Sequence, residues 1–455
     1  MLDGMQSLSD QVRRYIRKLE QRIKELEQEN RELRGELKKL KEGFEEYKKR
    51  HPPNTGVKNG KPYFFKSSNR SKIQKKPGAR KGHKPYFRPM PKHIDEVRHI
   101  PIEVCPECGG TDLSKRVQVV RTRTYEDIPV YRPIAIRLEI ERRYCRTCKK
   151  LVETQVPWVL PGARLGLRTM LIVVWFKIHL RMTEEAIPQV LEELFELKIC
   201  EGEVIYILHQ VARAFGPHYQ QLIQDIRNAQ SRNIDETSWR INGENAQLWA
   251  FVSKGETLYK IASSRSHKVP LKVMGKKHKG VDGHDRFSAY KTLARKTKNP
   301  QQYCWAHIIK NAEELAHFYG GEGEHILQVV KKTYEDAKAY GHGGTDRDIH
   351  KLFQTMSKEL NRLYKSQHCH KFVVNLLDEK DNLFEFVKNP HVDGTNNAAE
   401  RALRPSVVAR KISGGNRSMK GARTYEVLLS VTRTLYQNGK NLVEHGPEIL
   451  LTSYG

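Results

Sequence analysis

Acidic residues are scarce in this chain of 455 residues: 53 Asp plus Glu stand against 81 Lys plus Arg, a formal net charge of +28 at pH 7. That imbalance points to a polyanionic partner, nucleic acid before an anionic membrane. Long apolar runs are missing too. "MLIVVWF", Met170 to Phe176, is far too short to cross a bilayer. The opening "MLDGMQSLSD" lacks the basic-then-apolar order of a secretory leader. The expectation is a cytoplasmic protein. Cysteines number only 7, which argues against a disulfide framework and for metal ligation or free thiols. The length allows two or three domains with cores of their own.

What is present begins with a heptad pattern. With position a at Ile16, Ile23, Asn30, Leu37 and Phe44, position d falls on Leu19, Leu26, Leu33, Leu40 and Tyr47. Glu, Lys and Arg crowd the other positions. Ile at a with Leu at d favours two parallel strands, and the single polar residue Asn30 fixes register at a cost in stability. A seam this narrow covers a globular core poorly. Residues 1–50 are therefore expected to be a parallel coiled-coil dimerisation helix. Residues 51–100 carry 13 Lys plus Arg against Asp95 and Glu96, among many Pro and Gly. They read as an extended basic DNA-binding linker, with Lys75, Lys76, Arg80 and Lys81 of "KKPGARKGHKP" as candidate phosphate contacts. A solvated spacer is the plainer alternative.

Residues 101–160 hold "CPEC" and "CRTC", with 36 residues between the two motifs. Cys105, Cys108, Cys145 and Cys148 can supply four thiolates to one structural zinc, a closed site with no open position for catalysis. The alternating sequence between them predicts strands, hence a zinc ribbon. Residues 161–230 read as helical. "QVLEELFEL", the turn "KICEGE" and "VIYILHQVARAF" form a candidate helix-turn-helix for DNA, although helix pairs are common in ordinary bundles. From 231 the pattern changes. "SRNIDETSWRI", "AQLWAFVS", "TLYKIASSRS", "KGVDGHDRFSAY" and "QQYCWAHI" are strand candidates within 231–309. Residues 310–390 are mostly helical, and 391–455 carry the final helices. This order predicts a mixed α/β domain with a late helical insertion.

Three carboxylates stand at strand or helix edges in that domain: Asp235, Asp285 and Glu400. Hard oxygen ligands of this kind suit Mg²⁺ or Mn²⁺. Two such ions about 4 Å apart support phosphodiester cleavage. Spacing alone does not single the trio out. Glu400 and Arg404 are four residues apart and share a helix face, so a surface ion pair is the plain reading of Glu400. Asn396 and Asn397 are helix-start residues whose ordinary role is capping. Cys304 and His307 of "CWAH" are expected to pack at a strand end, without zinc. Cys200 and Cys369 are expected to be plain thiols.

The motifs "DETSW", "HDRFSAY", "CWAH" and "NNAAERALRPSVVARK" resemble those of bacterial transposases of the insertion-sequence-66 family, a DDE type. The order of segments along nearly the whole chain is similar as well. The resemblance implies a multidomain α/β chain: an RNase H-like catalytic core with a helical insertion, preceded by a coiled coil, a zinc ribbon and a helical DNA-binding region. It implies a first metal-binding Asp at Asp235, a second at Asp285, five residues before Tyr290, and the Glu of its "NAAER" motif at Glu400. Asp282 is the rival for the second position. It also implies two Mg²⁺ or Mn²⁺ ions, cleavage and strand transfer at the inverted ends of a mobile element, and small accessory proteins. Arg401, Arg404, Arg410 and Lys411 become candidates for DNA phosphates near the cut. The expected partners are element ends, target DNA and a second copy, with higher-order assembly on DNA in the bacterial nucleoid. The competing functions are a catalytically inactive DNA-binding relic and a structural coiled-coil adaptor.

Overall fold

The computed structural model describes residues 90–452 apart from 117–120, 129–130, 155 and 157, and, nearer the N-terminus, residues 21–25, 27–28, 31, 35, 57–58 and 61–62. The chain divides into two compact units, Met1–Pro89 and Met90–Gly455. In the first, the described residues between 21 and 35 are helical, and Val57–Lys58 pairs antiparallel with Lys61–Pro62. Ile23 is 55% exposed; a seam residue is covered only by a second helix. The other seam positions, Ile16, Leu19, Leu26, Asn30, Leu33, Leu37 and Leu40, lie outside the described residues, as do Lys75, Lys76, Arg80 and Lys81.

In the second unit β1 (Arg142–Cys145) and β2 (Lys150–Glu153) form an antiparallel hairpin that pairs Cys145 with Lys150. The strands expected upstream are absent: the described residues of 121–141 carry no strand, and Ile134 and Ile136 are exposed. Alternation yields a strand where some other surface takes the apolar face, and the described residues supply none here.

Four helices follow, α1 (Leu167–Ile178), α2 (Ala186–Phe195), α3 (Glu201–Ala214) and α4 (Gly216–Asn228). The next five strands are β3 (Ser231–Ile241), β4 (Glu244–Val252), β5 (Thr257–Ala262), β6 (Val281–His284) and β7 (Gln301–Tyr303). Their order across one sheet is β5-β4-β3-β6-β7. The β3–β4 and β4–β5 pairs are antiparallel, whereas β3–β6 and β6–β7 are parallel. The β3–β4 turn is Asn242–Gly243, with φ 51 and 79. Asn-Gly suits a two-residue turn with positive φ at both positions, whose twist matches the strands it joins. Parallel neighbours need crossovers, and α5 (Lys268–Met274) and α6 (Ser288–Thr297) lie in these connections. Gly280 enters β6 at φ +80, and a Cβ there would lie 2.3 Å from the carbonyl oxygens of Ala229 and Gln230. Glycine alone fits so close a passage.

Beyond β7, helical residues Trp305–Ala339 (α7) break at Gly320, which has φ 52 and ψ −130. Then come α8 (Asp346–Leu360), α9 (Gln367–Leu377), α10 (Glu385–Lys388), α11 (Asn397–Ser413), α12 (Met419–Gln437) and α13 (Leu442–Thr452). Buried residues from α7 to α10 form a second hydrophobic cluster around Trp305, Ile326 and Met356, which also takes in Val281 of β6 and Tyr303 of β7. The helices before the sheet share one core with it: Met170, Val204, Leu222, Trp249 and Leu428 belong to the same cluster.

Edge strand β5 is closed by α12. The N–H groups of Thr257, Tyr259 and Ile261 donate to Thr434 Oγ1, Ser430 Oγ and Glu426 Oε2, at 3.0, 2.8 and 2.9 Å. Alternate strand residues advance about 6.8 Å and every fourth helical residue about 6 Å, so the two ladders stay nearly in step. The open donors that would recruit another strand are thereby occupied.

Candidate active site

The register of β3 against β6 decides which carboxylates meet. Ser231, Arg232 and Asn233 pair with Val281, Asp282 and Gly283. Asp285 stands one residue past the end of β6, and its charge bears on the Asp235 carboxyl. Asp282 and Asp285 are an odd number of residues apart, so their side chains leave the sheet toward opposite faces. Asp282 faces the interior. Its Oδ2 lies 2.8 Å from His278 Nε2 and its Oδ1 3.3 Å from Arg232 Nη1, with all three side chains fully buried. The Arg232 contact is one of charge, because Asp282 Oδ1 receives no hydrogen bond. Burial pulls the Arg232 guanidinium below its usual range, while Asp282 pushes it back up.

Glu400 reaches the same corner through two asparagines. Asn233 Nδ2 donates to the carbonyl of Thr395 at 3.0 Å, and Asn396 Nδ2 to the carbonyl of Ile234 at 2.9 Å. The backbone N–H of Trp305 donates to the carbonyl of Gly394 at 2.9 Å. These bonds pin the start of α11 to β3 and to the start of α7. Glu400 then projects from the first turn of α11. Capping was the expected role of at least one of Asn396 and Asn397. Asn396 is the N-cap of α11, but its side chain makes no cap hydrogen bond. It crosses to the strand instead and is 1% exposed. The plain alternative for Glu400, an ion pair with Arg404, does not form. Among the described residues Glu400 contacts His307, at 3.7 Å from Oε1 to Nδ1.

Electrostatics mark the corner. The Asp235 carboxyl is pushed up to about 7, first by burial, then by the charge of Glu236, with Asp285 and Glu400 adding to the same effect; the Glu236 N–H opposes it. Mutual repulsion of this kind is what a bound cation relieves. Glu236 itself is occupied. It accepts from Arg265 Nε at 2.7 Å and from the Tyr290 hydroxyl, and its side chain is 2% exposed. Tyr290 stacks on His284 with centroids 4.3 Å apart. The Tyr five residues after Asp285 thus steadies the neighbour of Asp235.

The raised carboxyl makes a stability prediction. Asp235 ionises near 7 when folded and near 3.8 in its ordinary state. The folded chain therefore binds more protons between those values, and stability falls as pH rises through that window. In chelator at pH 8, Asp235→Asn should be more stable than wild type by on the order of 4 kcal/mol, at about 1.4 kcal/mol for each pH unit between the two values. At pH 5 most of that advantage should vanish. Urea melts at the two pH values check this; an Asn variant no more stable at pH 8 than at pH 5, relative to wild type, contradicts it.

The basic candidates divide. Arg401, Arg404 and Lys411 are exposed on α11. Arg410 is half-buried and donates through Nη1 to the carbonyl and hydroxyl of Ser238, so it ties α11 to β3. In the candidate helix-turn-helix, α3 begins with Glu201 and Glu203. Acids there suit the positive end of the helix dipole but repel phosphates.

The ribbon cysteines form two separate knuckles. Cys105 N donates to Gly110 O at 2.8 Å, and Gly109 N to Cys105 O at 2.9 Å. The Cys105 and Cys145 thiols are drawn down chiefly by backbone N–H groups of Cys108 and Cys148 respectively. Among the described residues, the group of three or more potential ligand side chains that gather within 4.8 Å is Cys304, His307 and Glu400. Packing alone was the expected role of the first two. The signal that finds them is three-dimensional: α7 and α11 begin side by side.

Comparison with known proteins adds the following. The model of the Transposase IS66 family matches residues 163–424, a span that includes Asp235, Asp285, Cys304, His307 and Glu400. The uncharacterized protein y4qI of Sinorhizobium fredii (strain NBRC 101917 / NGR234) is similar over 180 residues at 24% identity, covering 35% of this chain. The match spans 33% of that relative's length.

Proposed function

This chain belongs to the IS66 family of transposases, and on that premise we propose that it is the DNA transposase of an insertion sequence, binding the element's terminal inverted repeats and carrying out metal-dependent cleavage and strand transfer. The observation that carries the reading is the raised, buried Asp235 carboxyl, which burial and Glu236 push up first and on which the charges of Asp285 and Glu400 also bear. The β5-β4-β3-β6-β7 order, three antiparallel strands followed by two parallel ones, supports an RNase H-like core.

An all-oxygen donor set of three carboxylates fits hard divalent cations. Asp235, Asp285 and Glu400 are the residues that would hold them. Bound there, two Mg²⁺ or Mn²⁺ ions would supply the charge that activates an attacking oxygen and steadies the leaving one. The protein's own contribution is placement. Asp235 sits in the middle of β3, Asp285 just past β6, and Glu400 on a helix strapped to β3 by Asn233 and Asn396. Arg401 and Arg404 lie one residue and one helical turn from Glu400 and are free to meet DNA phosphates. Arg410 serves the fold instead.

The remaining assignments belong to the same proposal. The coiled coil at 1–50 pairs protomers so that two ends are held together. The segment 51–100, with Lys75, Lys76, Arg80 and Lys81, lies along phosphates. The two knuckles close on one zinc. The helices at 161–230 contribute to DNA binding, and small proteins of the same element assist assembly. The protein works on DNA in the bacterial cytoplasm; no described helix is long and apolar enough to cross a membrane.

Zinc analysis tests the ribbon. One zinc per chain should depend on Cys105, Cys108, Cys145 and Cys148, and replacing any of them with Ser should lower the zinc content and loosen that module, because binding energy at such a site is folding energy. Protein purified without chelator and without zinc contradicts it. The function is tested with a duplex carrying the element's end, at fixed salt. Preferential binding of that duplex over a scrambled one excludes the adaptor. Mg²⁺-dependent cutting excludes the inactive relic.

A further inference from the structure

Cys304 is the N-cap of α7, and His307 lies three residues on. Glu400 approaches from the first turn of α11. One ligand atom from each lies within 4.8 Å of the other two. A tetrahedral zinc with bonds of about 2.0–2.3 Å holds its ligand atoms roughly 3.3–3.8 Å apart; His307 Nδ1 and Glu400 Oε1 are 3.7 Å apart. His307 Nδ1 is buried and has no hydrogen-bond partner. The Cys304 sulfur accepts the backbone N–H of Asn396 at 3.0 Å, the kind of outer-shell bond that orients a metal ligand. Sulfur, nitrogen and oxygen from three side chains differ in kind from the all-oxygen trio. Such a set suits Zn²⁺ and discriminates against Mg²⁺.

We propose that Cys304, His307 and Glu400 form a second metal centre, selective for zinc-like ions, that shares Glu400 with the carboxylate trio. Three protein ligands leave the fourth tetrahedral position open. Binding sends the thiol proton of Cys304 to solvent. The site itself is independent of the proposed transposase chemistry. Only its consequence rests on that reading: with zinc bound, Glu400 is withdrawn from Asp235 and Asp285, so zinc antagonises Mg²⁺-dependent cutting.

The test is a Co²⁺ titration of the full chain, without DNA, read by the thiolate-to-cobalt absorption in the near ultraviolet. Wild type should take up one more Co²⁺ per chain than Cys304→Ser, with a stronger band. His307→Ala and Glu400→Gln should weaken that extra ion at least about tenfold. All four proteins keep the ribbon cysteines, so the ribbon contributes equally to each. Equal stoichiometry and equal bands in wild type and Cys304→Ser overturn the proposal. If Cys304→Ser does not fold, His307→Ala decides, since its ring is 36% exposed; cobalt affinity unchanged from wild type overturns the proposal. Failure of the transposase reading would appear in cutting assays and leave the cobalt result untouched.

Discussion

Asp235→Asn is expected to lower Mg²⁺-dependent nicking of an element end by at least about 10²–10³-fold, the loss seen when one charge-stabilising group leaves an active site. The substitution keeps the shape of the side chain and removes one anionic ligand. Asp235 is the right residue for the largest effect because its carboxyl feels the charges of both Asp285 and Glu400. Asp285→Asn and Glu400→Gln should follow the same pattern. DNA binding at fixed salt should stay near wild type or tighten, because a negative charge facing phosphate is gone. The outcome separates two roles for Glu400 cleanly. A surface ion pair would cost at most about 1 kcal/mol and leave cutting intact. Glu400→Gln protein that cuts at the wild-type rate would remove Glu400 from the cutting centre.

Asp282→Asn should do the opposite: little direct effect on the chemistry, and a large loss of stability. Asp282, Arg232 and His278 form a buried charge cluster with no solvent access. Removing the carboxylate leaves the Arg232 guanidinium buried without its counter-charge, which costs about 3–5 kcal/mol. A loss of that size is expected in urea melts, with cutting measured on the fraction that remains folded. Replacing both Arg232 and Asp282 by apolar residues of similar volume should recover most of the loss, since a buried pair contributes little net stability against good packing. A single Asn variant as stable as wild type would mean that Asp282 is not a structural anchor. Asp282→Asn and Asp285→Asn, side by side, thus discriminate the structural aspartate from the catalytic one.

Much of the fold is legible in the sequence, for identifiable reasons. The five strands of the sheet fall on the runs read as strands, and the break between the first two is Asn242–Gly243, whose turn needs positive φ at both residues. Asp235, Asp285 and Glu400 stand out only through the family motifs, because three acids scattered over 166 positions, from 235 to 400, carry no geometric signal on their own. The choice between Asp282 and Asp285 rests on spacing to Tyr290. In the structure Asp282 is buried against Arg232, and the charge of Asp285 bears on Asp235. Contacts between distant segments are not legible. Asn396 has the look of a cap and is a strap to Ile234. Arg410 has the look of a phosphate ligand and holds Ser238. The ladder of Glu426, Ser430 and Thr434 against β5 shows only as polar residues at helical spacing until the edge strand lies beside them. The strands expected in 121–141 fail for the converse reason: alternation is present, and among the described residues no surface for its apolar face comes with it.

The decisive measurement is cutting by the wild-type protein of a duplex that carries the element's own end. With Mg²⁺, a nick that frees the 3′-hydroxyl at the element's terminus is expected, followed by joining of that hydroxyl to a target plasmid. With chelator, neither product should form, and the end should still be bound. Protein that binds the end and leaves it uncut in Mg²⁺ and in Mn²⁺ alike would contradict the assignment of Asp235, Asp285 and Glu400 as a metal-dependent cutting centre.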